Sequence, residues 1–265
     1  MKSSAPEPVT SMLGLRPLSA RSVILSVLLG THPPQAPVAE IVDLAESFDI
    51  HAINARVALT RMVAAGDLER SDAIYRLSPR LLQRQERQDQ LLTAATAEPW
   101  DHQWHMAVVV GAGAAPDARA ALRAQLRDQR LAELREGVWM RPNNVDIRWT
   151  PALTPRVEMF TAKPDADPEG LARRLFDLDA WAHAATELTT AMDNAYTPMQ
   201  RVTVAAATVR HLLSDPLIPN ELLDENWPST ALRATYDNYL DEIAAMRATL
   251  SSDNSTPDNS TRIRT

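Results

Sequence analysis

The sequence predicts an α+β protein of several domains, with a winged helix-turn-helix at the N-terminus, a central ferredoxin-like α+β domain and an all-α C-terminal domain. Three observations predict this class. Residues 19–78 show three helical apolar patterns and then a strand-like alternation, residues 99–165 mix strand and helix patterns, and residues 166–250 keep helical spacing almost throughout. A chain of 265 residues is long enough for two or three such domains.

The N-terminal segment has the order of elements of a winged helix. Helices are predicted over residues 19–30 and 54–66, each ended by a glycine, and over residues 38–47 between them. Residues 74–77 alternate apolar and polar side chains, as an edge strand of a small ribbon does. Three helices and a ribbon therefore predict a complete winged helix-turn-helix domain within residues 19–78.

The third of these helices has an apolar and a polar face. Because each residue of a helix advances by about 100°, four apolar residues share the side that we expect to face the core. These residues are Ala55, Ala58, Leu59 and Met62. In a helix-turn-helix domain the last helix enters the major groove of DNA, so its other side and the ribbon supply the candidate DNA contacts. They are Asn54, Arg56, Val57, Thr60, Arg61 and Arg76.

Two other interpretations of this helix stay open. An amphipathic helix with two arginines on its polar face is most often a solvent-facing helix without a partner. A winged helix can also bind another protein, which would make the chain an interaction module. Salt sensitivity distinguishes these alternatives, because only DNA binding depends on the release of counterions from phosphates.

The distribution of charge is compatible with DNA binding, although the formal net charge of the chain is −7. Residues 1–89 contain ten basic and ten acidic residues, so the remaining 17 basic and 24 acidic residues account for the whole acidic excess. Residues 50–87 contain seven arginines and four acidic residues, a local charge of +3. Since DNA attracts local positive charge, this segment is the candidate DNA-binding surface.

The chain contains no cysteine, which excludes disulfides, thiolate metal sites and catalysis by a thiol. No run of apolar residues approaches the eighteen or so that a membrane span needs. We therefore expect a soluble, cytoplasmic protein with no membrane contact. Residues 1–18 and 251–265 have the polar composition of disordered segments, and we expect an N-terminal arm and a C-terminal tail there.

The central domain follows a predicted connecting helix over residues 79–98, whose Arg80, Arg84 and Arg87 share one face. These arginines either meet DNA phosphate or pair with acidic neighbours and solvent, and we favour the solvated face. After this helix, the sequence predicts three strands and one helix in the order strand, helix, strand, strand, which is typical of a ferredoxin-like domain. The segments are 104–110, 116–129, 138–140 and 157–161. We expect this sheet to connect domains or subunits.

Motifs for catalysis or cofactor binding are not found in the sequence. Asp101, His102 and His105 are the one compact set of candidate metal ligands, but strand alternation would place them on both faces of a strand, so we predict no metal site. With seven glycines and neither a G-x-S-x-G elbow nor a phosphate-binding loop, the chain is predicted to be no enzyme and to need no cofactor. The tryptophans either pack the core or line an apolar ligand pocket. They are Trp100, Trp104, Trp139, Trp149, Trp181 and Trp227.

The C-terminal domain is predicted to be helical throughout. Residues 171–195 form one long amphipathic helix or two, and residues 202–213 and 232–250 form the others. The proline-containing segments 214–219 and 226–228 are the predicted connectors between them.

Six motifs occur along the chain in a recognisable order. They are SARSVILSVLLG, ARVALTRMVAAGDLE, YRLS, WDHQWHMAVVV, GVWMRP and SDPLIPNELLDENWP. Together they resemble the family of PaaX-like transcriptional repressors, named for the control of phenylacetate degradation. The resemblance extends over about residues 19–250.

This resemblance implies a homodimer that represses a catabolic operon and leaves its double-stranded DNA operator when a small effector, such as an aromatic acyl-coenzyme A, binds. It assigns operator reading to Asn54, Arg56, Thr60 and Arg61. The residues of the effector pocket stay unknown, since no basic patch for a coenzyme A group is visible in the acidic C-terminal half. The family usually has an aromatic residue where this chain has Asp67.

The central domain also resembles, at the level of the fold, the small nucleases of CRISPR adaptation. Those enzymes hold a metal ion with a carboxylate at the end of the first strand. Here the corresponding residues 110–113 are Val, Gly, Ala and Gly, without an acidic side chain. The domain is therefore predicted to be a scaffold, and a metal-dependent nuclease is the less favoured enzyme alternative.

Overall fold

The structure is a computed structural model that describes residues 13–93, 100–110, 115–147, 154–165 and 167–253. Several predictions lie outside the described residues. These concern most of the disordered arm, the end of the connecting helix, the residues after the first central strand, Trp149 and the tail from residue 254 onwards.

The described part of the chain folds into nine α-helices, one short 3-10 turn and seven strands. The N-terminal elements are α1 (Ala20–Leu29), β1 (Gln35–Pro37), α2 (Val38–Ser47), α3 (Ala52–Ala64), β2 (Leu68–Ser71), β3 (Ile74–Leu77) and α4 (Pro79–Thr93). The central elements are β4 (Trp104–Val109), α5 (Pro116–Asp128), β5 (Ala132–Arg135), β6 (Val138–Pro142) and β7 (Val157–Ala162). The C-terminal elements are α6 (Pro168–Phe176), α7 (Leu178–Asp193), α8 (Pro198–Leu213), the turn Asn220–Leu222 and α9 (Ser229–Asp253).

These elements form two compact units. The first unit contains the described residues up to Leu92 together with Ala185–Leu213 and the described residues from Thr230 onwards. The second contains the described residues of Thr93–Ala184 and Ser214–Ser229. The helices of the predicted C-terminal domain are thus divided between the two units. The six-part division inferred from the sequence stays a prediction.

Helix α1 begins and ends where the sequence predicts, whereas α3 begins at Ala52, two residues before the predicted start at residue 54, and ends at Ala64, just before the predicted glycine. The Ser19 hydroxyl oxygen accepts a hydrogen bond from the Ser22 amide at 3.2 Å and so caps α1, while Gly30 ends it. Gly66 follows α3 with φ at +70°, a conformation that glycine adopts without strain. The four apolar residues expected to face the core are the buried residues of α3, which confirms the predicted face.

A three-stranded antiparallel sheet with the order β1-β3-β2 completes this part of the first unit. Strands β2 and β3 form the predicted ribbon, joined by Asp72 and Ala73, and Asp72 has a positive φ of +54°. Strand β1 was not predicted, because its three residues lie in a proline-rich segment that reads as a turn. The core below the sheet is formed by apolar side chains of α1, α2, α3 and the strands.

The second unit contains a four-stranded antiparallel sheet with the order β5-β6-β4-β7. This order is that of a ferredoxin-like sheet. Three of the strands and α5 agree with the sequence, but the prediction of only three strands is wrong, since β5 pairs with β6. Leu122 and Leu126 of α5 pack on one face against Trp139, and Leu171 and other residues of the second unit pack on the other face.

The sequence left open whether residues 171–195 form one long helix or two. Residues 168–193 form two helices, α6 and α7, because Asp177 takes a left-handed conformation with φ at +46° between them. Helix α9 continues to Asp253, three residues into the predicted tail. Within the described ranges, no helix is both long enough and apolar enough to span a bilayer.

Candidate nucleic-acid interface

Helix α3 is held in place by its buried face. Ala55, Leu59 and Met62 are each 0% exposed, and Ala58 is also buried. Leu59 and Met62 lie in one apolar cluster with Ile24 of α1 and Ile41 of α2. The orientation of α3 therefore depends on the two helices that precede it.

The opposite face of α3 is open to solvent. All five of its predicted DNA contacts are exposed, namely Asn54, Arg56, Val57, Thr60 and Arg61. The helix contains no acidic residue, and neither arginine forms an ion pair with any residue that the structure describes. The guanidinium groups of α3 are thus available to an external anion.

Apolar side chains also lie on this exposed face. Ile53 is 76% exposed and Val57 is 44% exposed, so the first two turns of α3 present aliphatic groups beside Asn54 and Arg56. The sequence pattern does not single out Ile53, because helical spacing marks residues that face the core and this side chain does not. Its exposure follows only from the direction in which α3 packs.

The Thr60 hydroxyl is engaged within the helix. It donates a hydrogen bond to the Arg56 carbonyl oxygen, one turn earlier, at 3.0 Å. Its oxygen still has lone pairs that can accept a hydrogen bond, and its methyl group offers an apolar contact. As a candidate DNA contact, Thr60 is therefore an acceptor or an apolar group in this conformation.

The ribbon adds one candidate cation. Arg76 of β3 is exposed, and its neighbours across the sheet are Gln35 of β1 and Glu69 of β2. Arg70 is occupied instead, because it donates to the Asp72 carbonyl oxygen at 2.8 Å and stacks over the Tyr75 ring at 5.7 Å. The ribbon therefore offers Arg76 with an acidic residue directly opposite.

Asp67, just after α3, is buried rather than exposed. Its carboxylate lies 2.7 Å from the Arg21 guanidinium and 2.6 Å from that of Arg80. The solvent-facing role expected for Arg80 is thus corrected in part, since this side chain is exposed but binds Asp67. Arg84 and Arg87 on the same helix are exposed as predicted.

The set of candidate metal ligands in the central domain is occupied by other contacts. The Asp101 carboxylate accepts hydrogen bonds from the Gln103 amide at 2.9 Å and from the Asn143 side chain at 3.4 Å. His102 lies against the Trp100 ring, with the ring centres 4.9 Å apart. No group of three histidine or acidic side chains in the described ranges could hold a metal ion.

Two basic side chains near these residues have lowered pKa values. Burial lowers the pKa of His105, and the Arg141 guanidinium lowers it further. Arg141 is fully buried, and burial together with nearby Arg130 lowers its pKa to about 9. Its guanidinium donates to the Leu217 carbonyl oxygen at 3.2 Å and so fastens the 214–219 connector to the sheet.

The tryptophans that the structure describes are packing residues. Trp104 and Trp139 are almost fully buried, at 0% and 1% exposure. The rings of Trp181 and Trp227 stack with their centres 5.1 Å apart. Their contacts favour the core interpretation over a pocket lined by aromatic rings.

Two segments of the chain, one with α3 and the ribbon and one with the four-stranded sheet, match models of known protein families. Residues 19–81 match the model of the PaaX-like protein family, and residues 97–169 match the model of the PaaX protein central Cas2-like domain. A solved structure of the uncharacterized protein Rv0674 from Mycobacterium tuberculosis is 46% identical in sequence and covers 88% of this chain and 99% of its own, with a TM-score of 0.81. No curated protein matches the chain. On the two family matches, which follow one another along the sequence, the chain belongs to the PaaX-like protein family.

Proposed function

We propose that this protein is a DNA-binding transcriptional regulator that inserts α3 into the major groove of its operator. One observation supports this most strongly: α3 has a fully packed back and an exposed front with two unpaired arginines and no acidic residue. Proteins of the PaaX-like family are generally transcriptional regulators. In this proposal α2 and α3 are the two helices of a helix-turn-helix, and the β2–β3 ribbon is its wing.

The exposed groups of α3 suit different parts of DNA. Asn54 can pair with the edge of an adenine, and Arg56 and Arg61 can donate two hydrogen bonds to a guanine or bind phosphates. Val57 and Ile53 can contact the methyl group of a thymine. Arg76 would bind phosphate from the wing. The proposal thus combines base reading by the first half of α3 with phosphate contacts around it.

We further propose a homodimer that binds a palindromic operator and represses a catabolic operon. A small effector, an acyl-coenzyme A thioester in the family that the sequence resembles, would release it by binding better to the form that does not fit DNA. Residues 99–165 would act as the scaffold of the dimer in this scheme.

The test is selection of genomic fragments by the purified full-length protein, followed by salt titration on the enriched sequence. The expected result is a palindromic site with half-sites about one helical turn apart and an affinity that falls steeply with salt. The variant Arg56→Ala should bind this site weakly. Arg210→Ala, which removes one exposed arginine from α8, is the matched control and should bind like the unchanged protein.

A protein-binding role for α3 is the second candidate, and a specific observation favours it. Ile53, Val57 and Val63 are 76%, 44% and 37% exposed, so α3 carries aliphatic surface that a protein partner could cover. If this role is correct, no DNA sequence is enriched, binding of the partner depends little on salt, and Ile53→Ser weakens it more than Arg56→Ala does.

A further inference from the structure

The last helix of the chain, α9, belongs to the same compact unit as the proposed DNA-binding helices. Five residues spaced three or four positions apart lie on one side of α9. They are Arg233, Tyr236, Leu240, Ile243 and Arg247. We call these five residues the α9 stripe. Because 14 residues separate its two arginines, the stripe is about 21 Å long at 1.5 Å per residue.

The N-terminal end of the α9 stripe binds the end of α4. The guanidinium of Arg233 donates hydrogen bonds to the carbonyl oxygens of Leu92 at 3.0 Å and Leu91 at 3.4 Å. These carbonyl groups lie near the end of the described part of α4. Arg233 therefore fastens α9 to α4.

The middle of the α9 stripe packs closely on the end of α1. A β-carbon added to Gly30 would lie 2.7 Å from the Cδ2 atom of Leu240, which is closer than carbon atoms approach without displacement. Tyr236 and Ile243, on either side, are buried. The glycine that ends α1 thus also makes room for α9.

The C-terminal end of the α9 stripe binds the corner between β1 and α2. The Arg247 Nε atom lies 2.5 Å from a carboxylate oxygen of Glu40, and its Nη2 atom donates to the Gln35 carbonyl oxygen at 3.1 Å. The side chains of Arg247 and Glu40 are only 14% and 9% exposed. Charge-assisted hydrogen bonds shielded from water are stronger than exposed ion pairs, so this contact holds the corner firmly.

This corner is linked to α3 through α2. Strand β1 passes directly into α2, and no side chain caps the first turn of α2, since its preceding residue is Pro37. Ile41 of α2 packs in the same apolar cluster as Leu59 and Met62 of α3. A displacement of the corner would therefore be transmitted through α2 to the buried face of α3.

We propose that Arg247 is a positioning residue for DNA binding: by holding Glu40 and Gln35 it sets the orientation of α2 and α3, so that the C-terminal helix controls the affinity of the N-terminal domain for DNA. The proposal rests on the proposed function in one respect only, namely that α3 reads DNA. It assigns a regulatory role to α9, because a displacement of α9 would change operator binding without direct contact with α3.

The test compares full-length variants by operator affinity and by amide hydrogen exchange. Arg247→Met and Glu40→Gln each break the ion pair, and the double variant Glu40→Arg with Arg247→Glu reverses it. We expect each single variant to bind the enriched site about tenfold more weakly, as loss of a charge-assisted hydrogen bond implies, and to exchange the amides of α2 and α3 faster. The reversed pair should recover part of the affinity only, because a carboxylate at position 247 cannot donate a hydrogen bond to the Gln35 carbonyl oxygen.

Two controls separate positioning from general loss of stability. Arg210→Ala removes an exposed arginine from α8 in the same unit and should change neither readout. Leu212→Ala removes a buried side chain of α8, which is 1% exposed, and lowers stability away from the corner. If Leu212→Ala weakens DNA binding as much as Arg247→Met at an equal loss of melting temperature, the positioning role is wrong.

The two readouts also separate this proposal from the proposed function. If the unchanged protein binds no DNA sequence, the proposed function fails, while faster exchange of α2 and α3 in Arg247→Met would still support the anchoring of these helices by α9. If Arg247→Met leaves both exchange and operator affinity unchanged, the positioning proposal is overturned and the proposed function is not.

Discussion

Asp67 and Arg21 are 46 positions apart in the sequence, yet an Asp67 carboxylate oxygen lies 2.7 Å from the Arg21 guanidinium. The other carboxylate oxygen lies 2.6 Å from Arg80. One buried carboxylate thus joins α1, the turn after α3 and α4. The charge of Asp67 is thus buried and paired with two guanidinium groups instead of facing solvent.

The first prediction is that Asp67→Asn destabilises the first unit by about 2 kcal/mol, since two hydrogen bonds between charged groups are weakened at a buried site. Urea unfolding followed by circular dichroism measures the change. Asp72→Asn is the matched control, because Asp72 lies in the exposed turn of the ribbon. Equal midpoints for the two variants would contradict the role given to Asp67.

The second prediction concerns Arg61, which is exposed near the C-terminal end of α3 and forms no ion pair with the residues that the structure describes. Arg61→Ala should lose operator affinity by a factor of about ten or more, in line with loss of a base or phosphate contact. Its melting temperature should not change, because no packing is lost. A drop of several degrees would make Arg61 a structural residue and remove it from the interface.

The third prediction concerns Glu69, which is directly opposite Arg76 in the ribbon. A carboxylate this close attracts the guanidinium and repels DNA phosphates. Glu69→Gln should therefore strengthen operator binding about two- to threefold at low salt, with a smaller gain at high salt because exposed charges are screened. Unchanged or weaker binding, measured by fluorescence anisotropy across a salt series, would show that the ribbon does not approach DNA.

The fourth prediction tests the close approach of α9 to α1. Gly30→Ala should destabilise the protein by up to about 1 kcal/mol, because its β-carbon would force the Cδ2 atom of Leu240 to shift. The same substitution in a Leu240→Ala background should cost clearly less, since the obstructing side chain is gone. Thermal unfolding of the four proteins of this double-mutant cycle gives the coupling. Additive effects would mean that the two positions are not in contact.

The fifth prediction follows from the lowered pKa of His105, which is caused by burial and then by Arg141. The unfolded chain, with a histidine pKa near 6.5, binds a proton at this position more readily than the folded chain does. Protonation of His105 therefore does not reduce the free energy of unfolding above pH 6.5, but reduces it increasingly as the pH falls towards the folded-state pKa. Melting temperatures at pH 7.5 and 5.5 should differ less in His105→Gln than in the unchanged protein. The control His51→Gln alters an exposed histidine and should keep the full difference.

Much of the first unit can be predicted from local sequence patterns, because its helices α1 and α3 have apolar residues at helical spacing and glycines at their ends. The period of α3 gives its buried face residue by residue, and the glycines after α1 and α3 mark their ends. The break at Asp177 has no such signal, since a left-handed aspartate is not distinguishable in sequence from a helical one.

Strand β5 was missed for a related reason. Its four residues, Ala-Glu-Leu-Arg, alternate apolar and charged side chains, but the run is short and consists of residues that favour helices. Pairing with β6 across the turn at Gly137, where φ is +77°, makes them a strand. The exposure of Ile53 and the contact of Arg247 with Glu40 depend in the same way on tertiary packing. The latter joins residues 207 positions apart, which no periodicity can reveal.

The contact between α2 and α9 has a consequence for synthesis of the protein on the ribosome. Domains generally fold in order from the N-terminus as the chain emerges, but here the partner of Glu40 is translated 207 positions later. Until Arg247 has left the ribosome, the nascent β1–α2 corner lacks the residue that holds it. A chain interrupted before α9 would therefore keep this corner unanchored, and under the proposed function it would bind the operator more weakly than a chain that contains α9.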